Sequence, residues 1–222
     1  MGINKTAYHQ ILTELTSANA QLVAVSKTKP VEDIAALYAL GQIDFGENYV
    51  QELVEKQAVL PKQIRWHFIG HLQTNKVKYI APFVSLIHGV DSFKLLKEIS
   101  KQAVKNNRTI DCLLQIHIAT EESKFGFSVE ELQALQLELP LPNIVIKGLM
   151  GMATNTDQTS VIAAEFASLQ QLFLSLKKEI PSIDTLSMGM SGDYQLAIQN
   201  GSNMVRIGSL LFGARNYPTT SI

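Results

Sequence analysis

A chain of 222 residues that is 46% hydrophobic and 18% charged can bury a large core, and it fits one α/β domain better than two small ones. A net charge of -1 gives no general field for nucleic acid or an anionic membrane, so any anionic ligand must be held by local groups. The single cysteine, Cys112, excludes an internal disulfide and a four-cysteine zinc cage. There is no basic-then-apolar leader and no apolar run near the roughly 18 residues of a membrane span, so a cytoplasmic protein is expected. The sequons at Asn4 and Asn107 then read as chance matches.

An amphipathic helix is predicted over 5–17. Strand-like runs follow at 22–26, 43–46, 65–70, 84–89, 111–117, 144–150, 185–189 and 204–208. Helical segments alternate with them, at 31–40 behind Pro30, 48–58, 75–80, 92–105, 128–139, 160–178 and 193–199, the last closed by Asn200-Gly201. Eight βα units in this length predict a TIM (β/α)8 barrel with an extra N-terminal helix, a single domain over 1–222. The alternative, an open doubly wound sheet, usually carries a glycine-rich dinucleotide fingerprint after its first strand, and none follows here. The chain stops soon after the eighth strand, so no second domain is expected.

The first strand, Leu22-Val23-Ala24-Val25-Ser26, delivers Lys27 at its C-terminal tip, followed by Thr28-Lys29-Pro30. In a barrel the C-terminal strand ends form the ligand-binding rim, so an amine there is placed for imine chemistry. These residues alone also allow two solvated lysines ahead of a helix that starts at Pro30.

The loops after strands seven and eight of such barrels often bind phosphate through free backbone N–H groups. Here they read Ser187-Met188-Gly189-Met190-Ser191-Gly192-Asp193 and Val205-Arg206-Ile207-Gly208-Ser209. Gly189, Gly192 and Gly208 permit close backbone approach, and Ser191 and Ser209 can add hydroxyl donors. Taken singly, each loop is equally an ordinary turn with a helix cap; together, at the expected strands, they favour phosphate. Arg206 presents a planar, permanently charged fork either to a core carboxylate or to an acceptor nitrogen of a ligand. Barrel closure makes the first strand a neighbour of the eighth, so Lys27, Arg206 and the phosphate loops converge. A partly buried amine near a guanidinium is expected to have a lowered pKa, which raises its nucleophilic fraction. A phosphorylated aldehyde uses all three features.

Other polar residues have blander readings. His67 and His71 lie four apart with no clear third ligand, which favours structural hydrogen bonding over a metal site. Asn48 reads first as a cap for the next helix and second as a ligand contact. Lys124 is either solvated or a second contact for an anion, and Cys112 is a buried small hydrophobe. Met150 and Met152 end strand six as core packing or as an apolar floor under a flat ring.

Five motifs occur in order: Val25-Ser26-Lys27-Thr28-Lys29-Pro30, Phe45-Gly46-Glu47-Asn48-Tyr49, Trp66-His67-Phe68-Ile69-Gly70, Ser187-Met188-Gly189-Met190-Ser191 and Met204-Val205-Arg206-Ile207-Gly208. This string resembles the pyridoxal phosphate homeostasis proteins of the YggS/PROSC type across nearly the whole chain. The resemblance implies a barrel similar to that of alanine racemases, carrying pyridoxal 5'-phosphate (PLP) as an internal aldimine on Lys27. It implies Ser191, Gly208 and Ser209 at the phosphate, and Arg206 facing a pyridine nitrogen that stays unprotonated and is thus a weak electron sink. It also implies Met152 beneath the ring and Lys124 where the racemase barrel has an arginine near the ring hydroxyl. The chain departs at His117, where relatives often have asparagine, and at Asn203, where threonine or serine is commoner.

Two-base racemisation in the similar enzymes needs a tyrosine from a second, C-terminal domain, and this chain ends at Ile222 without one. The implied function is therefore a non-catalytic, monomeric carrier in vitamin B6 homeostasis. It buffers PLP or delivers it to PLP-dependent apoenzymes, with indirect effects on amino-acid pools. A low-activity PLP-dependent amino-acid racemase is the alternative. Without the motif string, a Schiff-base aldolase or phosphosugar enzyme would be the reading.

Overall fold

Short runs of β-branched and aliphatic residues between helices can bury both faces only in a parallel sheet covered by those helices. The computed structural model, which describes residues 2–119, 125–128, 131–132 and 141–213, has that arrangement. In chain order the elements are α1 (Lys5–Ser17), β1 (Gln21–Val25), α2 (Val31–Tyr38), β2 (Asp44–Glu47), α3 (Val50–Val59), β3 (Arg65–Phe68) and α4 (Val77–Ile80). Then follow β4 (Leu86–Val90), α5 (Phe93–Lys105), β5 (Ile110–Gln115), β6 (Ile144–Met150), α6 (Thr159–Glu179), β7 (Thr185–Ser187), α7 (Tyr194–Gln199), β8 (Met204–Ile207) and α8 (Ser209–Phe212). The strands close a barrel in sequence order, every neighbouring pair parallel, with β1 hydrogen-bonded to both β2 and β8. The TIM-barrel expectation is met.

Differences in detail have local causes. Ile43 is 42% exposed, and β2 begins instead at Asp44, whose side chain is drawn into a buried hydrogen-bond cluster. The segment predicted as one helix at 75–80 is a 3₁₀ turn, Thr74–Lys76, that runs into the single turn of α4. Most of the helix predicted over 128–139 lies outside the described residues.

Two apolar layers hold the barrel. Outward-facing Phe45, Trp66, Ile87 and Leu149 pack beneath the helices, and Val23, Leu86, Leu113, Met150 and Met204 form a smaller cluster inside. Each such side chain contributes about 1.5–3 kcal/mol by leaving water. α1 buries Tyr8, Ile11 and Leu15, one face of a 3.6-residue period, and Asn4 caps it by accepting from the Ala7 N–H at 3.0 Å. The Asn4 N–H also donates to the Leu211 carbonyl at 2.7 Å, tying the added helix to α8. Among the described residues no helix is long and apolar enough to cross a membrane.

Candidate functional site

A cavity of about 280 Å³ opens at the C-terminal mouth of the barrel. Its wall includes Lys27 from the tip of β1, Asn48 beyond β2, Met152 beyond β6, Ser191 beyond β7, and Arg206, Gly208 and Ser209 from the end of β8. The structure thus gathers these seven sequence-derived positions in one place. Lys124 lies outside the described residues.

The turn that carries Lys27 is clamped from behind by a buried ionic cluster. Lys56 on α3 donates from Nζ to the Ser26 carbonyl at 2.7 Å, to Glu47 Oε1 at 2.7 Å and to Glu52 Oε1 at 2.6 Å. The Ser26 hydroxyl donates to Glu47 Oε1 at 2.6 Å, and the Thr28 N–H donates to Glu52 Oε1 at 2.6 Å. Thr28 needs that support, since its φ of 63° is left-handed and disfavours a β-branched residue. Burial pushes the Glu47 carboxyl above its ordinary range, against the pull of the Lys56 ammonium. Sequence reasoning missed this cluster; its one legible sign was the i,i+4 spacing of Glu52 and Lys56. Lys29 also lines the cavity, and its Nζ donates to the Phe212 and Gly213 carbonyls at 2.8 and 3.1 Å. The reading of Lys29 as a solvated charge therefore gives way to one in which it closes the end of α8.

Arg206 is buried, with 4% exposure. Its Nη1 donates to the Ser187 carbonyl at 2.9 Å and to the Ser187 hydroxyl at 2.7 Å, and its Nη2 donates to the Gly151 carbonyl at 3.0 Å. These hydrogen-bond partners are neutral, so the core ion pair weighed from the sequence is not what holds it. Burial lowers its pKa to about 10, with Asp193 pulling the other way, and the fork remains charged at neutral pH.

Beside Arg206 the two strand-end loops are joined, because the Gly208 N–H donates to Ser191 Oγ at 3.2 Å. Gly189 makes the first loop possible: its φ is 94°, and a Cβ there would come 2.6 Å from the Ala197 Cβ. The Asp193 carboxylate accepts from the Met190 N–H at 2.6 Å instead of capping α7. Asn48 is likewise no cap, since α3 starts at Val50 behind Tyr49 without a side-chain cap bond. The Asn48 Oδ1 is buried and has no hydrogen-bond partner among the described residues.

The remaining candidates separate cleanly. Met150 belongs to the inner core, and Met152 packs partly against it while lining the cavity. Burial raises the Cys112 thiol pKa, as expected for a small hydrophobe. His71 bonds Asp91 at 2.9 Å and stacks on Phe125, with ring centroids 4.1 Å apart, whereas His67 is inside the barrel. Asn203 sits at the opposite end, where Oδ1 accepts from the Leu186 N–H and Nδ2 donates to the Asp184 carbonyl, so its departure from the family pattern does not touch the cavity.

The closed eight-stranded barrel, with a lysine at the end of β1 and an arginine on β8 lining one cavity, falls in the alanine-racemase class of barrels. The alanine racemase N-terminal domain profile matches residues 7–216. A pyridoxal phosphate homeostasis protein of Haemophilus influenzae is 43% identical over 206 residues, covering 90% of this chain and 87% of that protein. Another, of Pasteurella multocida, is 44% identical over 203 residues, covering 89% and 87%. The structure of PipY of Synechococcus elongatus with PLP bound superposes with a TM-score of 0.83 at 35% identity, covering 92% of this chain and 99% of PipY. The chain belongs to the pyridoxal phosphate homeostasis protein family.

Proposed function

We propose that this chain is a cytoplasmic, monomeric PLP carrier that holds the cofactor on Lys27 and buffers it or delivers it to apoenzymes, without acting as an enzyme itself. The observation that carries the reading is the convergence of an amine, a guanidinium and two serine-glycine loops on one cavity. The relatives' names and the PLP bound to PipY support it.

The residues present fit the group. Lys27 supplies the amine, and Arg206 a donor-only fork for an acceptor nitrogen. Ser191, Gly208 and Ser209 supply hydroxyl and backbone donors for a phosphate, and Met152 an apolar face for a flat ring. The orphaned Asn48 Oδ1 marks the wall as polar beyond what the described residues satisfy.

When bound, PLP supplies an aldehyde that condenses with amines and a pyridine ring that withdraws electrons. Lys27 holds the aldehyde end and limits its reaction with other amines. Arg206 cannot give up its proton at neutral pH, so it donates a hydrogen bond without protonating the ring, which suits storage better than carbanion chemistry. Among the described residues that line the cavity, none is a carboxylate, histidine or tyrosine placed to act as a base.

Borohydride reduction followed by peptide mass mapping tests the proposal. Phosphopyridoxyl mass on Lys27, lost in Lys27→Ala, is the expected result. Label on surface lysines alone, or none, rejects the binding site. Exchange of amino-acid α-hydrogens above the free-PLP background would make the protein a racemase instead.

A further inference from the structure

The binding role leaves a line of polar groups inside the barrel unexplained. Asp44 opens β2 and Arg65 opens β3, so both stand at the N-terminal mouth, away from the cavity. Arg65 donates to both Asp44 oxygens, at 2.7 and 2.5 Å, and Gln21 donates to Oδ2 at 2.8 Å. From Asp44 Oδ1 the contacts run inward: His67 Nε2 at 3.0 Å, then His67 Nδ1 to His88 Nε2 at 2.9 Å. His88 Nδ1 reaches Ser187 Oγ at 3.2 Å, and that hydroxyl meets Arg206 Nη1 at 2.7 Å. His67 is 3% exposed, and His88 and Ser187 are fully buried.

Donor and acceptor counting gives this chain one direction. A guanidinium only donates, so Ser187 Oγ accepts from Arg206 and turns its own hydrogen to His88 Nδ1. A neutral His88 then carries its hydrogen on Nε2 and donates to His67 Nδ1. A neutral His67 carries its hydrogen on Nε2 and donates to the Asp44 carboxylate. The opposite polarity would aim a bare His67 Nε2 at a carboxylate, unless His67 took up an extra proton. Burial, reinforced by the positive charge of Arg206, holds the His88 pKa well below its ordinary value, consistent with a neutral ring. Burial alone would raise the Asp44 pKa, but hydrogen bonds from His67 and Arg65 outweigh it and keep the carboxylate ionised.

We propose that Asp44, His67, His88 and Ser187 are positioning residues for Arg206, through which a carboxylate at one mouth of the barrel fixes the plane and donor strength of the guanidinium at the other. Three of its five N–H groups are committed to Ser187 and Gly151, so the orientation of that fork decides what the cavity receives. The consequence for the ring nitrogen rests on the PLP reading above; the chain itself does not.

Side-chain nitrogen correlation spectra of histidine-labelled, PLP-free protein test the chain directly. His67 and His88 should both carry hydrogen on Nε2. In Asp44→Asn, which no longer offers His67 an acceptor-only group, the His88 ring shifts should change although residue 44 does not touch it. With PLP added, the absorption maximum should move while Lys27 keeps its label, which a purely structural role would not produce. Should Asp44→Asn fail to fold, Ser187→Ala must alter the His67 ring nitrogens, which Ser187 does not touch. Hydrogen on His88 Nδ1 in the unaltered protein, or a far histidine indifferent to either substitution, overturns the chain. Altered histidines with an unmoved absorption maximum overturn its effect on the ring. Absence of label on Lys27 in the unaltered protein rejects the binding reading alone, and the histidine spectra still decide the chain.

Discussion

Asn48 shows how one side chain can serve a ligand at the expense of the fold. A buried amide oxygen without a partner costs roughly 1–3 kcal/mol, and nothing in the folding of α3 requires it. Asn48→Ala should therefore leave the PLP-free protein as stable or more stable in thermal unfolding, while PLP retention falls. A variant less stable without PLP and equal in PLP affinity would make Asn48 a structural residue. The sequence made Asn48 a cap first, because an asparagine ahead of a helical run is what a cap looks like. Lys27 and Arg206 were legible for a different reason: strand ends are visible as apolar runs, and closure makes the first and last strands neighbours.

At the level of elements, the loop after β1 depends on α3, and the dependence is ionic. Lys56→Met should strip Glu47 of its counter-charge in a site where Glu47 is fully buried, costing about 3–5 kcal/mol in urea unfolding. Adding Glu47→Gln should recover much of that loss, since the cost is that of an uncompensated charge and not of the missing pair. In both variants borohydride labelling of Lys27 should be slower, because the Ser26 carbonyl loses its Lys56 donor and Glu52, which holds the Thr28 N–H, loses its ionic partner. The strand-end loops support a second expectation. Ser191→Ala combined with Ser209→Ala should weaken PLP by roughly tenfold or more and pyridoxal far less, because only PLP carries the phosphate that those hydroxyls would meet. Equal losses in a binding titration would remove the phosphate from this corner. These loops could be read from glycine and serine at the seventh and eighth strand ends, whereas the Glu47–Lys56–Glu52 cluster could not, because Glu47 reads as one more loop carboxylate until β2 and α3 are packed together.

For the whole molecule, barrel order was readable because strand and helix periods alternate eight times, but the content of the barrel interior was not. His67, His88, Asp44 and Ser187 come from four different strands and meet only on closure. That buried polar axis makes global stability sensitive to acid. His88 has a folded pKa well below 6.5, so as pH falls through 6.5 the unfolded chain takes up a proton that the folded chain refuses. Stability is then lost at up to about 1.4 kcal/mol per pH unit for this one group. Asp44, held below its ordinary 3.8, adds a second loss of the same sign as pH falls through 3.8 and on to its folded value. Glu47 acts in the opposite sense, since its raised carboxyl pKa makes the folded state the better proton binder just above 4.5. It offsets part of the histidine loss in that interval. The PLP-free protein should thus show an unfolding temperature that declines from near pH 6.5 downward, less steeply just above pH 4.5 where Glu47 offsets the histidine, and falls further below 3.8. Replacing the histidine by a group that does not titrate, as in His88→Gln, should remove the first decline while leaving the last one in place. If the decline between pH 6.5 and 5 survives that substitution unchanged, the buried neutral histidine is not its source.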